Sequence, residues 1–370
     1  MNLPTNNMSE LDVMNDKPIL SIIVAVYNAE KTIERCLDSI FQQRNALEQP
    51  DMVEVVAVDD ASTDHSRMIM TRYREMYPGF KLVTHASNRR EANTRNTGIE
   101  NSNGVYLTFL DADDEYKPTF LETILSAIND NFPDLIHYCY ARYTPDGKFI
   151  SRTYLKNPGF HQTTDIDEQT LRAVYHDTAF GIMTSGGVYR RAVAEDLRFS
   201  TEFPISPDRL FGWEFFRHCA NVFQINEPLY IYYQYGDSVS RQLTDAAIEG
   251  LLKLDRIFWA EFKSHPMFYC AAKYGFRRLF PGVIWWHFDI VFGKAANKRH
   301  YASEYFKTLL TFLDATAIQE LGLGYVILRF AAQAKTSFIV RAYRMVVMHY
   351  WYAAKARFSH LLHSCNVSYN

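Results

Sequence analysis

The chain has 370 residues, of which 48% are hydrophobic and 22% are charged, and its net charge is −3. This composition is typical of a folded globular protein and excludes a disordered chain, and the balanced charge gives no reason to expect a nucleic-acid partner. Because a single hydrophobic core usually divides beyond about 250–300 residues, we expect two domains.

The start of the chain and its cysteines predict a cytoplasmic protein. Residues 1–16 are polar and lack the apolar segment of a signal peptide, so we expect a flexible tail. Five cysteines without a Cys-x-x-Cys pair predict reduced thiols rather than a disulfide framework or a zinc site. The sequence has no apolar run of the roughly 18 residues that a transmembrane helix needs.

The first hundred residues alternate between strand and helix patterns. Ile19–Val26 is apolar and largely β-branched, which predicts a central strand, and Asn28 is placed to cap the helix that follows. In that helix, apolar residues recur at the spacing of a core-facing stripe, namely Ile33, Cys36, Leu37, Ile40 and Phe41. Two further strands are predicted at 53–58 and 80–84. One further helix is predicted to end near residue 77, and another is predicted to span 91–101.

The next strand, residues 105–110, ends in Asp111, Asp113 and Asp114. A helix with Pro118 at its first position is predicted after it, followed by a strand at 135–140. Alternation of strands and helices predicts right-handed crossovers and a mostly parallel sheet flanked by helices, which is an α/β fold.

Two strands therefore run into acid pairs, Asp59-Asp60 and Asp111-x-Asp113. The carboxyl ends of parallel strands form the ligand-binding edge of an open sheet, although either segment alone could be a solvated acidic turn. No glycine-rich phosphate loop follows either strand, which argues against a dinucleotide fold or a P-loop nucleotidase. Carboxylates can bind a divalent cation and accept hydrogen bonds from a base or ribose, so the pattern predicts a nucleoside diphosphate derivative bound through metal.

Four motifs resemble those of the family 2 glycosyltransferases, which are inverting enzymes of the Rossmann-like GT-A fold that use nucleotide-activated sugars. The motifs are Ser21–Glu30, Val58–Asp64, Arg95–Gly98 and Phe109–Asp114, and the resemblance covers residues 18 to about 241. It departs from the family pattern at Ala25, where Pro is usual, and at Ala61, where Gly is usual.

The resemblance implies which residues contact the nucleotide base. Ala25, Tyr27 and Glu30 would lie in the loop against the base. One or both of Asp59 and Asp60 would accept a hydrogen bond from a uracil-type N–H.

The resemblance also implies residues for the rest of the donor. Asn88 and Arg95 would line the nucleotide and diphosphate, although Asn88 could be a turn former and Arg95 a surface ion-pair partner. Asp111 would reach the ribose or the metal, with Ala112 beside it in the nucleotide-sugar site. Asp113 would be the direct ligand of Mn²⁺ or Mg²⁺.

Inverting transfer needs a general base, because the acceptor hydroxyl must lose its proton as it attacks the anomeric carbon. The family places this base upstream of a Glu-Pro-Leu-Tyr strand, which is Glu227–Tyr230 here. Counting back by the family spacing reaches Asp208, although Pro207 stands where the family has Glu. Glu214 is the rival base, and Asp208 could instead cap a helix.

Residues 246–370 are predicted to be helical and rich in aromatic residues. Leu321–Asn370 has six basic residues and no Asp or Glu. Two interpretations stay open: peripheral attachment to the anionic inner leaflet of a membrane, or a helical bundle that packs on the catalytic domain or forms a homodimer.

The expected organisation is a tail at 1–16, a GT-A catalytic domain at 17–245 and a helical region at 246–370. The expected activity is metal-dependent inverting transfer of a hexosyl or N-acetylhexosaminyl group from a nucleotide sugar, with a UDP-sugar expected as the donor. The acceptor would be a hydroxyl of a glycan or lipid-linked glycan in surface polysaccharide or lipopolysaccharide assembly. A non-catalytic scaffold that binds nucleotide sugar or glycan is the alternative, whereas a nucleotidyltransferase would need a glycine-rich loop that residues 25–28 do not provide.

Overall fold

The computed structural model describes residues 17–43, 52–155, 158–162, 184–203 and 207–235, with positions 250 and 253. All but those two positions belong to the first of two units into which the chain divides, whose main segment is Met1–Gln242. The predicted tail at 1–16 and, apart from those two positions, the predicted helical region at 246–370 lie outside the described residues. So does the predicted domain boundary at residue 245.

In the part of the chain that the structure describes, ten strands form one sheet. They are β1 (Leu20–Val26), β2 (Val53–Asp59), β3 (Phe80–Thr84), β4 (Tyr106–Asp111), β5 (Glu115–Tyr116), β6 (Leu135–Tyr143), β7 (Phe149–Arg152), β8 (Gly159–Gln162), β9 (Gly187–Arg190) and β10 (Asn221–Tyr233). The main path through the sheet is β3-β2-β1-β4-β9-β6-β10-β5, and β7 and β8 pair with β6 and β10 respectively.

The parallel half of the sheet is the one that the sequence predicts. β3, β2, β1 and β4 are parallel neighbours, and β6 is parallel to β10. β9 runs antiparallel between β4 and β6, and β5, β7 and β8 are also antiparallel to their partners. Because β9 is antiparallel to both β4 and β6, these two strands point the same way. The predicted α/β fold with a mostly parallel sheet is confirmed.

Five α-helices of the described residues accompany the sheet. They are α1 (Ile33–Phe41), α2 (Ser66–Met76), α3 (Arg90–Glu100), α4 (Phe120–Asn131) and α5 (Pro207–His218). The predicted apolar stripe of α1 is buried at all five positions, and α4 buries the equivalent stripe of its own. No helix in the described part of the chain is long and apolar enough to cross a bilayer.

Two predicted helix starts are wrong. α1 begins at Ile33 after Thr32, and the side chain of Asn28 accepts a hydrogen bond from the Thr63 N–H at 2.8 Å instead of capping the helix. Asn28 has φ of 50°, which turns the chain toward the segment after β2 rather than into a helix. α4 begins at Phe120, so Pro118 lies in the preceding turn.

A buried carboxylate fixes the register of the strands at their amino ends. Glu54 of β2 accepts hydrogen bonds from the Ser21 hydroxyl at 2.6 Å, the Gly104 N–H at 3.0 Å and the Lys81 ammonium at 2.6 Å. A Cβ at Gly104 would collide with Ser21, so this close approach requires glycine. These hydrogen bonds of Glu54 fix the relative positions of β2 and β4, and hence where their carboxyl ends lie.

Candidate active site

The carboxyl ends of three neighbouring strands meet at one edge of the sheet. β1 lies between β2 and β4, and its last residues pair with both: Val26 with Asp59, and Ala25 with Asp111. Strands in a sheet are about 4.8 Å apart, so the two acidic segments are separated by only about 10 Å across β1. The prediction that both acid pairs share one edge is confirmed.

Asp59 is fully buried where β2 ends. One carboxylate oxygen accepts the Ser62 N–H at 3.1 Å, and the other accepts the Arg67 Nε–H at 2.6 Å. These bonds fix the turn that follows the strand. The carboxylate is thus enclosed by its own turn in this structure.

Asp60 organises the loop between β3 and α3. It is 3% exposed, and its oxygens accept the Arg89 N–H at 2.7 Å and the Arg90 N–H at 2.9 Å, with His85 Nδ1 at 2.7 Å. The same loop presents Asn88, an exposed residue whose side-chain oxygen accepts the Arg90 N–H at 3.2 Å. Asp60 therefore holds Asn88 at the carboxyl edge.

The loop after β1 is fastened to the turn after β2. Glu30 accepts hydrogen bonds from the backbone and ring nitrogens of His65, at 3.1 and 2.8 Å, and the backbone bond is the largest cause of its lowered pKa. Tyr27 is 52% exposed and is free to stack on a ligand ring. Ala61 has φ of 60°, the left-handed conformation that explains why glycine is usual at this position.

Arg95 of α3 is buried among carboxylates. Its side chain is 2% exposed and pairs with Asp111 at 2.7 Å, with Glu91 at 2.7 Å, and with Asp208. The Phe199 ring lies 5.3 Å from the centre of the guanidinium. Arg95 is thus an ion-pair partner, but a buried one at the edge of the site rather than a surface one.

The three carboxylates of the acidic turn after β4 lie in two different environments. Asp114 is buried, and accepts the Tyr230 hydroxyl at 2.6 Å and the Tyr233 N–H at 2.8 Å, which fixes the turn against β10. Asp111 and Asp113 stay partly exposed. Burial and then the charge of Asp111 raise the pKa of Asp113 to about 6.

The pair Asp111 and Asp113 suits a divalent cation completed by a ligand. The described residues contain no group of three His, Cys, Asp or Glu side chains that would form a metal site alone. Mg²⁺ and similar ions are often held by one or two carboxylates together with substrate phosphates. Burial and then the charge of Asp111 raise the pKa of Asp113, and a bound cation would favour its charged form, so the residues fit this role.

Arg35 of α1 is a residue that the sequence interpretation missed. Its Nη2 donates to the Asp113 carbonyl at 2.8 Å, its Nε lies 2.6 Å from a Glu115 oxygen, and its guanidinium lies 3.9 Å from the centre of the Tyr233 ring. It therefore fastens the acidic turn to α1 and to the end of β10. No motif identifies it, because it is one charge on the polar face of an amphipathic helix.

Asp208 reaches the acidic edge and Glu214 does not. Asp208 is the second residue of α5, so it lies inside the helix rather than at its cap, and its side chain is 19% exposed and paired with Arg95. Burial raises the pKa of Asp208, the charge of Arg95 lowers it, and the charge of Asp111 raises it further. The Glu214 carboxylate lies 3.5 Å from Arg217 of the same helix, and among the described residues it is not one of the carboxylates that pair with Arg95.

Arg190 and Arg191 belong to the opposite edge. Arg190 pairs in register with Tyr106, the first residue of β4. The Arg191 guanidinium donates to the Gly104 carbonyl at 2.9 Å and to the Ser102 hydroxyl at 2.8 Å. Both residues therefore support the amino-end loops rather than the acidic edge.

With this geometry in place, comparison with known proteins identifies relatives. Residues 21–198 match the model of the Glycosyl transferase family 2. EpsH of Bacillus subtilis (strain 168), described as a glycosyltransferase, is 28% identical over 249 residues, which are 65% of this chain and 67% of EpsH. The amylovoran biosynthesis glycosyltransferase AmsB of Erwinia amylovora is 30% identical over 190 residues, which are 50% of this chain and 59% of AmsB.

A solved structure has the same fold. The crystal structure of residues 1–349 of S. aureus TarS in complex with UDP superposes with a TM-score of 0.69 at 18% identity, and the match covers 90% of this chain and 91% of that one. At this level of identity the likeness establishes the fold, which is the GT-A fold that the motifs imply.

Proposed function

Because this chain belongs to family 2 of the glycosyltransferases through its residues 21–198, we propose that it is a metal-dependent inverting glycosyltransferase. It would transfer a sugar from a nucleotide-sugar donor, with a UDP-sugar as the preferred donor, to an acceptor hydroxyl. The observation that carries this proposal is the convergence of acidic groups at one sheet edge, where β2, β4 and α5 bring Asp59-Asp60, Asp111-x-Asp113 and Asp208 together.

The nucleoside would lie over the ends of β1 and β2. Tyr27 offers an exposed ring to the base. One or both of Asp59 and Asp60 would accept a hydrogen bond from an N–H of the base. Asn88 would contact the nucleotide from the loop that Asp60 holds. The UDP complex of the structurally similar TarS supports a uridine nucleotide as the first ligand to test.

The diphosphate would lie over the end of β4, beside Ala112. Asp113 would hold Mn²⁺ or Mg²⁺ directly, and Asp111 would share the ion or bind the ribose. When bound, the cation would neutralise charge on the departing diphosphate. Asp114 and Arg35 do not contact the ligand in this scheme but keep the turn in place.

The general base would be Asp208. As the acceptor oxygen forms a bond to the anomeric carbon, its proton passes to the Asp208 carboxylate and the bond to the nucleoside diphosphate breaks. One in-line displacement inverts the anomeric centre and needs no covalent enzyme intermediate. Burial makes the carboxylate more basic than an exposed one, which favours proton acceptance.

The acceptor would be a growing glycan or lipid-linked glycan of a surface polysaccharide. AmsB is named for amylovoran biosynthesis, which supports a role of this kind. The basic, aromatic segment near the end of the chain would place the enzyme on an anionic membrane surface on the cytoplasmic side. Liposome flotation checks this: binding that persists after deletion of residues 326–370 would exclude this segment as the membrane anchor, and no binding by the full-length chain would exclude the membrane role.

A donor-release assay tests the enzyme proposal. The full-length chain, incubated with a panel of UDP-sugars and Mn²⁺, should slowly release UDP from one of them even without acceptor. A protein that binds a UDP-sugar but never releases UDP, with or without glycan acceptors, would instead be the non-catalytic scaffold that Pro207 at the usual Glu position allows.

A further inference from the structure

One guanidinium at the acidic edge is shared by three elements of the fold. Arg95 and Glu91 belong to α3, Asp111 ends β4, and Asp208 lies in the first turn of α5. Arg95 Nη1 donates to Asp208, and Nη2 lies 2.7 Å from both Asp111 Oδ1 and Glu91 Oε1. Arg95 is therefore the point through which the proposed base and the proposed cation-side carboxylate are connected.

The position of this guanidinium leaves little of it for a ligand. Its side chain is 2% exposed, and the Phe199 ring lies 5.3 Å from its central carbon. Both terminal nitrogens already donate to carboxylates. A residue that bound the donor diphosphate would need N–H groups available to it, and the terminal nitrogens of Arg95 are directed at carboxylates of this chain.

Without the guanidinium of Arg95 between them, Asp111 and Asp208 would repel each other. Both carboxylates are mostly withdrawn from water, with side chains 31% and 19% exposed, and the charge of Asp111 contributes to the raised pKa of Asp208. Like charges at low dielectric repel strongly, and a planar guanidinium that pairs with both fixes their separation. Lysine keeps the charge but cannot bridge two carboxylates with the same geometry.

We infer that Arg95 is a positioning residue, which sets the distance between the base Asp208 and the donor-side carboxylate Asp111 and does not itself bind the donor. This inference rests on the proposed function. It differs from the family resemblance, which implies that Arg95 lines the nucleotide and diphosphate. A base that is displaced by even a small distance loses much of its rate contribution, so the effect of Arg95 should fall on kcat.

The test is a double-mutant cycle on sugar transfer with the full-length chain. Arg95→Lys should lower kcat by about 10- to 100-fold, while the Kd for UDP with Mn²⁺ changes by less than about twofold. In an Asp208→Asn background, Arg95→Lys should cause little further loss, because two residues that act through one base are not additive. Arg191→Lys is the matched control, since it alters a partly buried, hydrogen-bonded arginine of the opposite edge and should leave kcat and Kd unchanged.

A second variant, and the results that would contradict the inference, complete the test. If Arg95→Lys does not fold, Glu91→Gln removes one pair at a carboxylate that is 56% exposed, and it should lower kcat about threefold with the Kd for UDP unchanged. A rise of tenfold or more in the Kd for UDP in either variant, or full additivity with Asp208→Asn, would overturn the positioning role. Absence of transfer by the wild-type chain would count against the proposed function, and the Kd values would still show whether Arg95 binds the donor.

Discussion

Although 113 residues separate them in the chain, Asp208 and Arg95 form an ion pair at the carboxyl edge of the sheet. The same arginine donates to Asp111 at 2.7 Å. The first turn of α5 is thus attached to the end of β4, and a carboxylate from the second half of the domain enters a site whose other acidic residues come from the first half.

Asp208→Asn should abolish most of the transfer activity and leave donor binding intact. The amide keeps the size of the side chain but cannot accept the acceptor proton, and general bases contribute about 10²- to 10⁴-fold to rate. Initial rates and the Kd for UDP give the two readouts. Glu214→Gln is the matched control and should retain activity, because Glu214 pairs with Arg217 outside the acidic cluster. The opposite pattern would make Glu214 the base.

Asp113→Asn should weaken Mn²⁺ binding in the presence of UDP. It removes one of two partly exposed carboxylates at the turn. Loss of a direct ligand is expected to cost at least the roughly 10- to 100-fold in metal affinity that loss of an outer-shell partner costs. Isothermal titration of Mn²⁺ into the protein with UDP measures this. Asp114→Asn is the control, because Asp114 accepts hydrogen bonds from Tyr230 and Tyr233 and should affect stability more than metal affinity. Equal metal affinity in wild type and Asp113→Asn would exclude Asp113 as the ligand.

Ala61→Gly should stabilise the protein. Ala61 has φ of 60°, and a side chain in this conformation costs roughly 1–2 kcal/mol, part of which glycine gives back through its more flexible unfolded state. We expect the free energy of unfolding to rise by up to about 1 kcal/mol in urea denaturation. The same substitution inside α4, Ala127→Gly, should lower it by about 1 kcal/mol. A loss of stability in Ala61→Gly would show that the turn does not strain this residue.

His137 should make the protein sensitive to acid. Burial in β6 lowers its pKa to about 4 from the ordinary 6.5, so the unfolded chain takes up a proton between these values before the folded one does. The stability that neutral His137 contributes is complete above pH 6.5 and is lost as the pH falls from 6.5 to 4, by up to about 3 kcal/mol. The difference in unfolding free energy between wild type and His137→Gln, measured across this range, isolates the effect. Parallel pH profiles would contradict it.

The sequence predicts the first half of the domain well because its signals are local. The apolar stripe of α1 and the β-branched run of β1 depend only on neighbouring residues, and both are buried as expected. The acidic edge also follows, because parallel strands must end on the same side of the sheet.

What the sequence does not predict depends on contacts between distant residues. Arg95 and Glu91 are an i, i+4 pair within a predicted helix, but nothing local shows that Asp208 reaches them. Asn28 has the chemistry of a helix cap and instead accepts a hydrogen bond from Thr63, 35 residues away. Arg35 has no motif, and its role depends on a turn 78 residues further along the chain.

A crystal structure of the full-length chain with UDP and Mn²⁺, with anomalous data collected for manganese, tests the central claim most directly. We expect the uracil over the ends of β1 and β2, and a manganese peak that joins the Asp113 carboxylate to the diphosphate. UDP bound elsewhere on the domain, or bound at this edge with no manganese beside Asp113, would contradict the proposal.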